Sequence, residues 1–357
     1  VKNCLPVHPR APMESIPPAI LARYRDLDGR PHAPHGGGLI NRTFLVEGRA
    51  GKVIVQRLHP VFAGVVNEDI DAVTAHLARK GLLTPRPLRT DDGALWVDDE
   101  EGRAWRALSF VEGQSHDRVP SPSFAREAGR MVARFHAAVA DLVHDYRHVR
   151  AGVHDTKKHL ATLESALDAH SGHRLFGEVE PLARHLLAEA ARLPDLSELP
   201  LRHVHGDLKI SNLLFRGEQA VCLVDLDTLG RMIWPFEMGD ALRSWCNPAG
   251  EDAPRVVIDA DMFGEALAGY GEIARGSGIV SREEAGAVVA GLATICLELS
   301  ARFLADALRE VYFGFDARRF PARGEHNLVR GKGQLALFDS VQTRRTELEH
   351  AARVALG

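Results

Sequence analysis

The 357 residues carry 44 Lys and Arg against 48 Asp and Glu, a formal net charge of −4, and 45% of them are apolar. That length allows two domains or one two-lobed unit with a full core, and the near-neutral balance implies no polyanionic partner such as nucleic acid. Cys4, Cys222, Cys246 and Cys296 form no Cys-x-x-Cys pair, no apolar run approaches a membrane span, and the N-terminus shows no secretory core, so a cytoplasmic protein with reduced thiols and no membrane partner is expected. The 18 histidines match no zinc-ligand spacing and are expected mostly on surfaces and helix faces.

Residues 1–31 read as a loose polar arm followed by a short helix from Pro17 to Tyr24, with its two prolines at the start. Residues 32–112 read as a strand-rich lobe. It opens with His35-Gly36-Gly37-Gly38-Leu-Ile-Asn41, which runs into the strand Arg-Thr43-Phe44-Leu-Val46. Glycines here let backbone N–H groups approach phosphate oxygens, although three glycines equally make a plain flexible turn. Lys52 to Leu58 is the next strand by its β-branched content. Asn67 to Leu82 reads as a helix, with Val66, Ile70, Val73 and Leu77 on one stripe and Pro85 and Pro87 beyond its end. Ala94 to Val97 and Trp105 to Val111 form a hairpin about the turn Asp98–Arg103, and Ser109-Phe110-Val111-Glu112-Gly113 leaves the sheet.

Residues 113–357 are expected to form a larger, mainly helical lobe. Phe124, Ala128, Met131, Phe135 and Val139 make a long apolar stripe, and residues 155–170 and 178–193 read as two further helices. Asp240 is expected to open a helix and to serve as a buried acceptor for loop backbone. Ser281-Arg-Glu-Glu284 is a capping box that should start a long helix through Tyr312, and a last helix is expected from about Gln334 to Leu356.

The chemistry concentrates between His203 and Asp227. His205-x-Asp207-x-x-x-x-Asn212, with Asp225 thirteen residues further on, has the spacing of a kinase catalytic loop and its metal-binding aspartate. Leu213 to Phe215 and Ala220 to Val224 read as a hairpin turning over Arg216–Gln219, which carries the chain back to the loop. Asp207 is the catalytic candidate that orients and deprotonates an acceptor hydroxyl. Asn212 and Asp225 are candidates to hold Mg2+ against the triphosphate of ATP, and Asp227 is a further acid at the metal. Lys209 is either a phosphate contact or a surface residue. In the strand-rich lobe the nucleotide candidates are Gly36, Gly37, Gly38, Asn41 and Thr43 at the phosphates, with Ser109 to Val111 as a hinge whose backbone pairs with adenine. Arg57 is the expected cation for the inner phosphates, with Val55 on the same face as a roof for adenine and Asp69 as the acid pairing with Arg57. A one-residue change of register would put Gln56 in the place of Arg57.

Asp225-Leu-Asp227 stands where a protein kinase has Asp-Phe-Gly, and no segment ending in Ala-Pro-Glu follows. His205-Gly206-Asp207 with Asp225-x-Asp227 instead resembles the aminoglycoside phosphotransferase and choline kinase superfamily. Gly38-Leu-Ile-Asn41-Arg-Thr-Phe44, Gln56-Arg57-Leu-His59, Thr74-Ala-His76-Leu77, Arg302-Phe303-Leu304-Ala-Asp306, Tyr312-Phe313 and His326-Asn327-Leu328-Val-Arg330 are similar to the N-acetylhexosamine 1-kinases, a likeness spanning about residues 36–340. One departure is Leu308-Arg-Glu-Val311 before Tyr312, where that family has a Gly-Asp pair. The resemblance implies an α+β, two-lobed protein-kinase-like fold, with a small antiparallel sheet in the N-lobe and a larger helical C-lobe. It also implies ATP and Mg2+ as cofactors and direct transfer to a small hydroxyl acceptor.

That acceptor would be an N-acetylhexosamine or related hexose at its anomeric position, touched by Asp207, Arg302, Asp306 and Tyr312. An aminoglycoside, choline or an amino alcohol is the alternative acceptor, and a catalytically silent nucleotide-binding module is the second alternative. Arg302 and Asp306 stand four residues apart and equally suit a helix-surface ion pair. From Asp316 to Gly333, five cations face two acids, a balance of +3. If that segment borders the acceptor, it favours a neutral or anionic compound over a polycation. Monomer and homodimer both stay open.

Overall fold

A computed structural model describes residues 15–36, 41–149 and 154–357. They divide into two compact units. One holds the described residues up to Val111 together with Val143–Val149, and the other holds Glu112–Leu142 and the described residues from 154 onward.

The first unit contains α1 (Pro18–Leu21), β1 (His32–Pro34), β2 (Arg42–Glu47), β3 (Lys52–Arg57), α2 (Val66–Arg79), β4 (Pro87–Leu88), β5 (Val97–Asp98) and β6 (Ala104–Ser109). The strands form an antiparallel sheet in the order β1-β2-β3-β6-β4, with β5 also on β6. Phe44 lies opposite Val55, and Val55 opposite Ala107. Side chains alternate along a strand, so this register gathers Phe44, Val46, Val53, Val55, Trp105 and Ala107 on one face. That face is buried beneath Ile16, Ile20, Leu21, Tyr24 and Leu27 of the N-terminal segment. Each such large side chain removed from water contributes about 1.5–3 kcal/mol, which is why the short α1 belongs to the sheet's core. The same register puts Thr43, Gln56 and Arg106 on the opposite face.

The second unit begins with α3 (Pro122–Val139), α4 (Thr156–Ala169) and α5 (Phe176–Ala190). It continues through β7 (Leu201–Val204), β8 (Leu213–Arg216), β9 (Gln219–Leu223), β10 (Gly230–Ile233) and α6 (Trp234–Trp245). It closes with α7 (Ala260–Ala274), α8 (Arg282–Gly286), α9 (Val288–Arg309), α10 (Arg323–Thr343) and α11 (Arg345–Leu356). β8 pairs with β9, and β7 pairs with β10, which no strand signal in the sequence had marked. α9 is the packing centre, lying against α4, α5, α6 and α10. It also amends the expectation about membrane-length segments: among the described residues it is one helix long and apolar enough to cross a membrane, yet nearly all of it is buried within the unit. A helix apolar all round is what a core position requires.

Several boundaries differ from expectation. The capping box at Ser281 and Glu284 forms, but it opens only α8; α9 starts separately and stops at Arg309, where Glu310 takes a left-handed φ of 52°. Asp240 sits in the second turn of α6 rather than at its start, because Pro235 supplies the first-turn signal earlier. The last helix is two helices, broken at Arg344. His136, His203, His205 and His326 are buried, not on the surface.

Candidate active site

β7 delivers the chain to His205, whose side chain is fully buried. Its Nε2 donates to the Val224 carbonyl (2.9 Å), and its Nδ1 accepts from the Asp207 N–H (3.3 Å). The Val224 N–H in turn donates to the Asn212 carbonyl (2.9 Å). These bonds sew the end of the β8–β9 hairpin to the loop and bring Asp225 beside it. Gly206 makes the bend, with φ of 81°, and a Cβ there would lie 2.3 Å from the Thr228 carbonyl oxygen. Gly206→Ala is therefore expected to displace the loop and cut turnover by at least tenfold while circular dichroism stays native; unchanged kcat would show that the bend tolerates a side chain.

Two buried acids hold the loop from below. Glu237 accepts from the N–H groups of His205 (2.7 Å) and Gly206 (3.0 Å). Asp240 accepts from the Leu208 N–H (3.1 Å) and pairs with Arg243 (2.8 Å), which is the backbone-holding role expected of it. Ser244 accepts from the Ile210 N–H, and the Trp245 indole donates to the Leu208 carbonyl. Burial by itself would raise the Asp240 pKa, but the charges of Arg243, His154 and Lys209 outweigh it and hold the group below the usual carboxylate value. The part played by Glu237 was missed in the sequence. Its signal was available: Glu237 and Asp240 are three apart and share one helical face.

On this platform Asp207 Oδ2 accepts from Lys209 Nζ (2.7 Å) and from Asn212 Nδ2 (3.0 Å). Asn212 Nδ2 also donates to the Asp207 carbonyl (2.9 Å). Lys209 Nζ lies 3.9 Å from Asp225 Oδ2. Burial pulls the Lys209 pKa down, but the charges of Asp207 and Asp225 more than reverse this, so the ammonium stays protonated beyond its ordinary range. Asp225 adopts a left-handed backbone, φ 63°, an uncommon conformation for a non-glycine residue that accompanies functional constraint more often than chance. Asp227, two residues further on, is buried.

With its Nδ2 committed to Asp207, the Asn212 amide oxygen is the atom of that side chain that could hold a cation. An amide oxygen and two nearby carboxylates form a hard-oxygen set that suits Mg2+ once phosphate oxygens are added. Among the described residues no three His, Cys, Asp or Glu side chains gather to hold a metal unaided.

The nucleotide candidates of the first unit divide. Gly36 has φ of 74°, whereas Gly37 and Gly38 lie outside the described residues. Asn41 Oδ1 accepts from the His59 N–H (2.9 Å), and Thr43 Oγ1 accepts from Gln56 Nε2 (3.0 Å). Arg57 does not meet Asp69. Its guanidinium pairs with Glu101 (2.8 Å) and Asp99 (3.4 Å). Asp69 instead accepts from His144 Nε2 (2.8 Å) and from the N–H groups of Arg147 and His148, tying down Val143–Val149. Val55, the expected adenine roof, is wholly buried in the face covered by α1. The physical reason is one step of strand register, which exchanges the two faces. Ser109 donates its N–H to the Arg86 carbonyl and accepts from the Arg86 N–H at Oγ (2.9 Å), so its N–H is already engaged; Val111 is buried.

On the acceptor side, Asp306 is turned inward. Its carboxylate accepts from the N–H groups of Val311, Tyr312 and Phe313 and from Asn327 Nδ2 (2.8–3.0 Å). It therefore neither pairs with Arg302 nor presents a free carboxylate to a sugar. Arg302 lies over the rings of Tyr312 (6.0 Å) and Phe313 (5.5 Å), and Tyr312 is exposed. The excess charge counted from Asp316 to Gly333 is largely answered locally: Arg318 pairs with Asp316, Arg319 and Arg330 with Asp252, and Lys332 with Glu178. A bare count of charges overstated the field there.

A family model described as "Phosphotransferase enzyme family" matches residues 32–274. A homoserine kinase of Methylobacterium nodulans is 29% identical over 227 residues, covering 58% of this chain and 62% of that protein. The chain thus spans about three-fifths of the length of such curated relatives. The aminoglycoside phosphotransferase of Alicyclobacillus acidocaldarius superposes with a TM-score of 0.62 at 17% identity, covering 96% of this chain and 98% of that one. An amicoumacin kinase in complex with AMP-PNP and Ca2+ superposes with a TM-score of 0.56 at 14% identity, covering 84% and 86%. These structures share the fold, a small antiparallel sheet and a larger helical part.

Proposed function

The chain belongs to the phosphotransferase enzyme family, and from that premise we propose that it is a small-molecule kinase moving the γ-phosphoryl group of ATP to a hydroxyl acceptor. The observation that carries this is the meeting of Asp207, Lys209, Asn212 and Asp225 in one loop and hairpin. Asp207 orients the acceptor hydroxyl and takes its proton as the oxygen attacks phosphorus. Asn212 holds the Asp207 carboxylate in place through its amide nitrogen, and its oxygen, with Asp225 and Asp227, would hold the divalent cation. Mg2+, when bound, neutralises charge on the transferring phosphate. Lys209 supplies a fixed positive charge beside that phosphate. Positioning and electrostatics account for nearly all of the rate in such a transfer.

The acceptor is a small hydroxyl compound. The curated relatives are named homoserine kinases, which favours an amino alcohol of that kind. An N-acetylhexosamine is the second reading, favoured by Arg302 against Tyr312 and Phe313, a cation and aromatic pair suited to a sugar ring. It is weakened by the commitment of Asp306 to backbone. ADP release with Mg2+ and ATP, measured over homoserine, N-acetylglucosamine, N-acetylgalactosamine, choline and kanamycin, separates them. Turnover is expected with homoserine or, on the second reading, a hexosamine, and should vanish with EDTA. No release above background with any hydroxyl compound would sink the kinase assignment.

A further inference from the structure

We infer that His154, turned by Glu298, is a side chain that hydrogen-bonds the acceptor beside Asp207. The inference rests on the kinase reading and adds to it a recognition residue that the sequence had not marked.

Glu298 lies in the middle of α9 and has no exposed surface. A carboxylate buried that deeply is costly unless its oxygens find donors. Both do. Oε1 accepts from His154 Nδ1 (3.0 Å), and Oε2 accepts from Thr156 Oγ1 (2.8 Å) at the start of α4. A carboxylate accepts and does not donate, so the proton of that bond sits on His154 Nδ1. The bond fixes the ring and leaves Nε2 as the nitrogen that a ligand can use. A histidine oriented by a buried acid in this way is prepared for contact before any ligand arrives. His154 keeps 9% of its side-chain surface exposed and Glu298 keeps none, so the outer edge of the ring is the part within a ligand's reach.

The ring also stands at the platform beneath the catalytic loop. α6 and α9 approach closely enough that a Cβ on Gly239 would lie 2.8 Å from the Gly291 carbonyl oxygen. Next along α6 comes Asp240, which accepts from the Leu208 N–H (3.1 Å). Burial aside, the Asp240 carboxyl responds to the charges of Arg243, His154 and Lys209. His154 and Lys209 are therefore both within electrostatic reach of one carboxylate, and Lys209 is bonded to Asp207 Oδ2 (2.7 Å). On the other side, Arg302 follows Glu298 by four residues on the same face of α9, where it lies over Tyr312 and Phe313. His154 thus stands between the base and the residues already proposed for the acceptor.

Two near-isosteric variants separate contact from bracing. His154→Asn keeps an N–H in the place of Nδ1 for Glu298 and removes Nε2. His154→Gln reaches the place of Nε2 and gives up the bond to Glu298. With homoserine, or the member of the acceptor panel turned over fastest, KM for the acceptor should rise roughly 10- to 100-fold in His154→Asn, the size of a lost hydrogen bond with one charged partner. KM for ATP should stay within a few-fold, and the thermal midpoint near that of wild type. His154→Gln should recover part of the acceptor affinity at a lower midpoint. The reverse order, a wild-type acceptor KM in folded His154→Asn, makes the pair a brace between α4 and α9 and overturns the proposal. Where Asn does not fold, the wild type decides: the NMR signals of the His154 ring, assigned by their absence in His154→Gln, should shift when the acceptor is added. Unmoved signals overturn the proposal and leave the kinase reading intact. A wild type that turns over no compound of the panel overturns both.

Discussion

Asp207→Asn is expected to lower kcat by roughly 10²–10⁴-fold, the usual contribution of a positioned general base. The substitution is nearly isosteric. Main-chain bonds from Glu237 and Asp240 to residues 205, 206 and 208 do not involve the replaced side chain, so the loop should keep its path. What disappears is the carboxylate that accepts from Lys209 and Asn212 and that would receive the hydroxyl proton. KM for ATP should move little, because the oxygens of Asn212 and Asp225 proposed to hold the cation remain. Rapid-quench or coupled ADP measurements, with a melt to verify folding, are the check. A folded variant retaining most of the wild-type rate would remove Asp207 from the chemistry. A wild type that binds nucleotide yet turns none over would restore the silent-module alternative.

The second large effect is on stability. Asp240→Ala should cost about 3–5 kcal/mol, because it leaves the buried Arg243 guanidinium with only the more distant Glu251 (3.4 Å) and the Leu208 N–H without an acceptor. The sign with pH follows from the lowered Asp240 pKa. A carboxylate whose folded value lies below its unfolded value contributes stability that is complete above the unfolded value of 3.8 and is lost as pH falls through the folded one. Wild type should therefore lose stability below about pH 4, and Asp240→Ala should show a flatter dependence there. Urea unfolding at pH 7 and pH 3 measures both. Equal midpoints for wild type and variant at pH 7 would show that Arg243 finds another partner.

Much of the catalytic loop was legible because its parts are neighbours in the chain. His205, Asp207, Lys209 and Asn212 fall within eight residues, and a tight hairpin returns Asp225 to them. Spacing alone carries geometry over such short stretches, since few backbone paths connect the points. The helices were legible for a similar reason: a repeat of 3.6 residues declares itself in any long stripe, as along Val66, Ile70, Val73 and Leu77. Their ends were less so, because a helix stops where tertiary contacts favour stopping, as at Glu310 and Arg344.

By itself, the order of residues determined the kinase-like catalytic loop, the hairpin behind it and the division into strand-rich and helical stretches. Only the folded chain decided which way each charged side chain points. Whether Arg57 or Gln56 lies on the face of β3 away from α1 is a difference of one residue in a period of two, invisible without the neighbouring strand. The capture of Asp306 by Val311–Phe313, of Asp69 by Val143–Val149, and the pairing of Gln56 with Arg106 fifty residues away likewise depend on partners remote or out of register in sequence. Charge and hydrogen bonding act across space, and composition along a chain records only what is near in that one dimension.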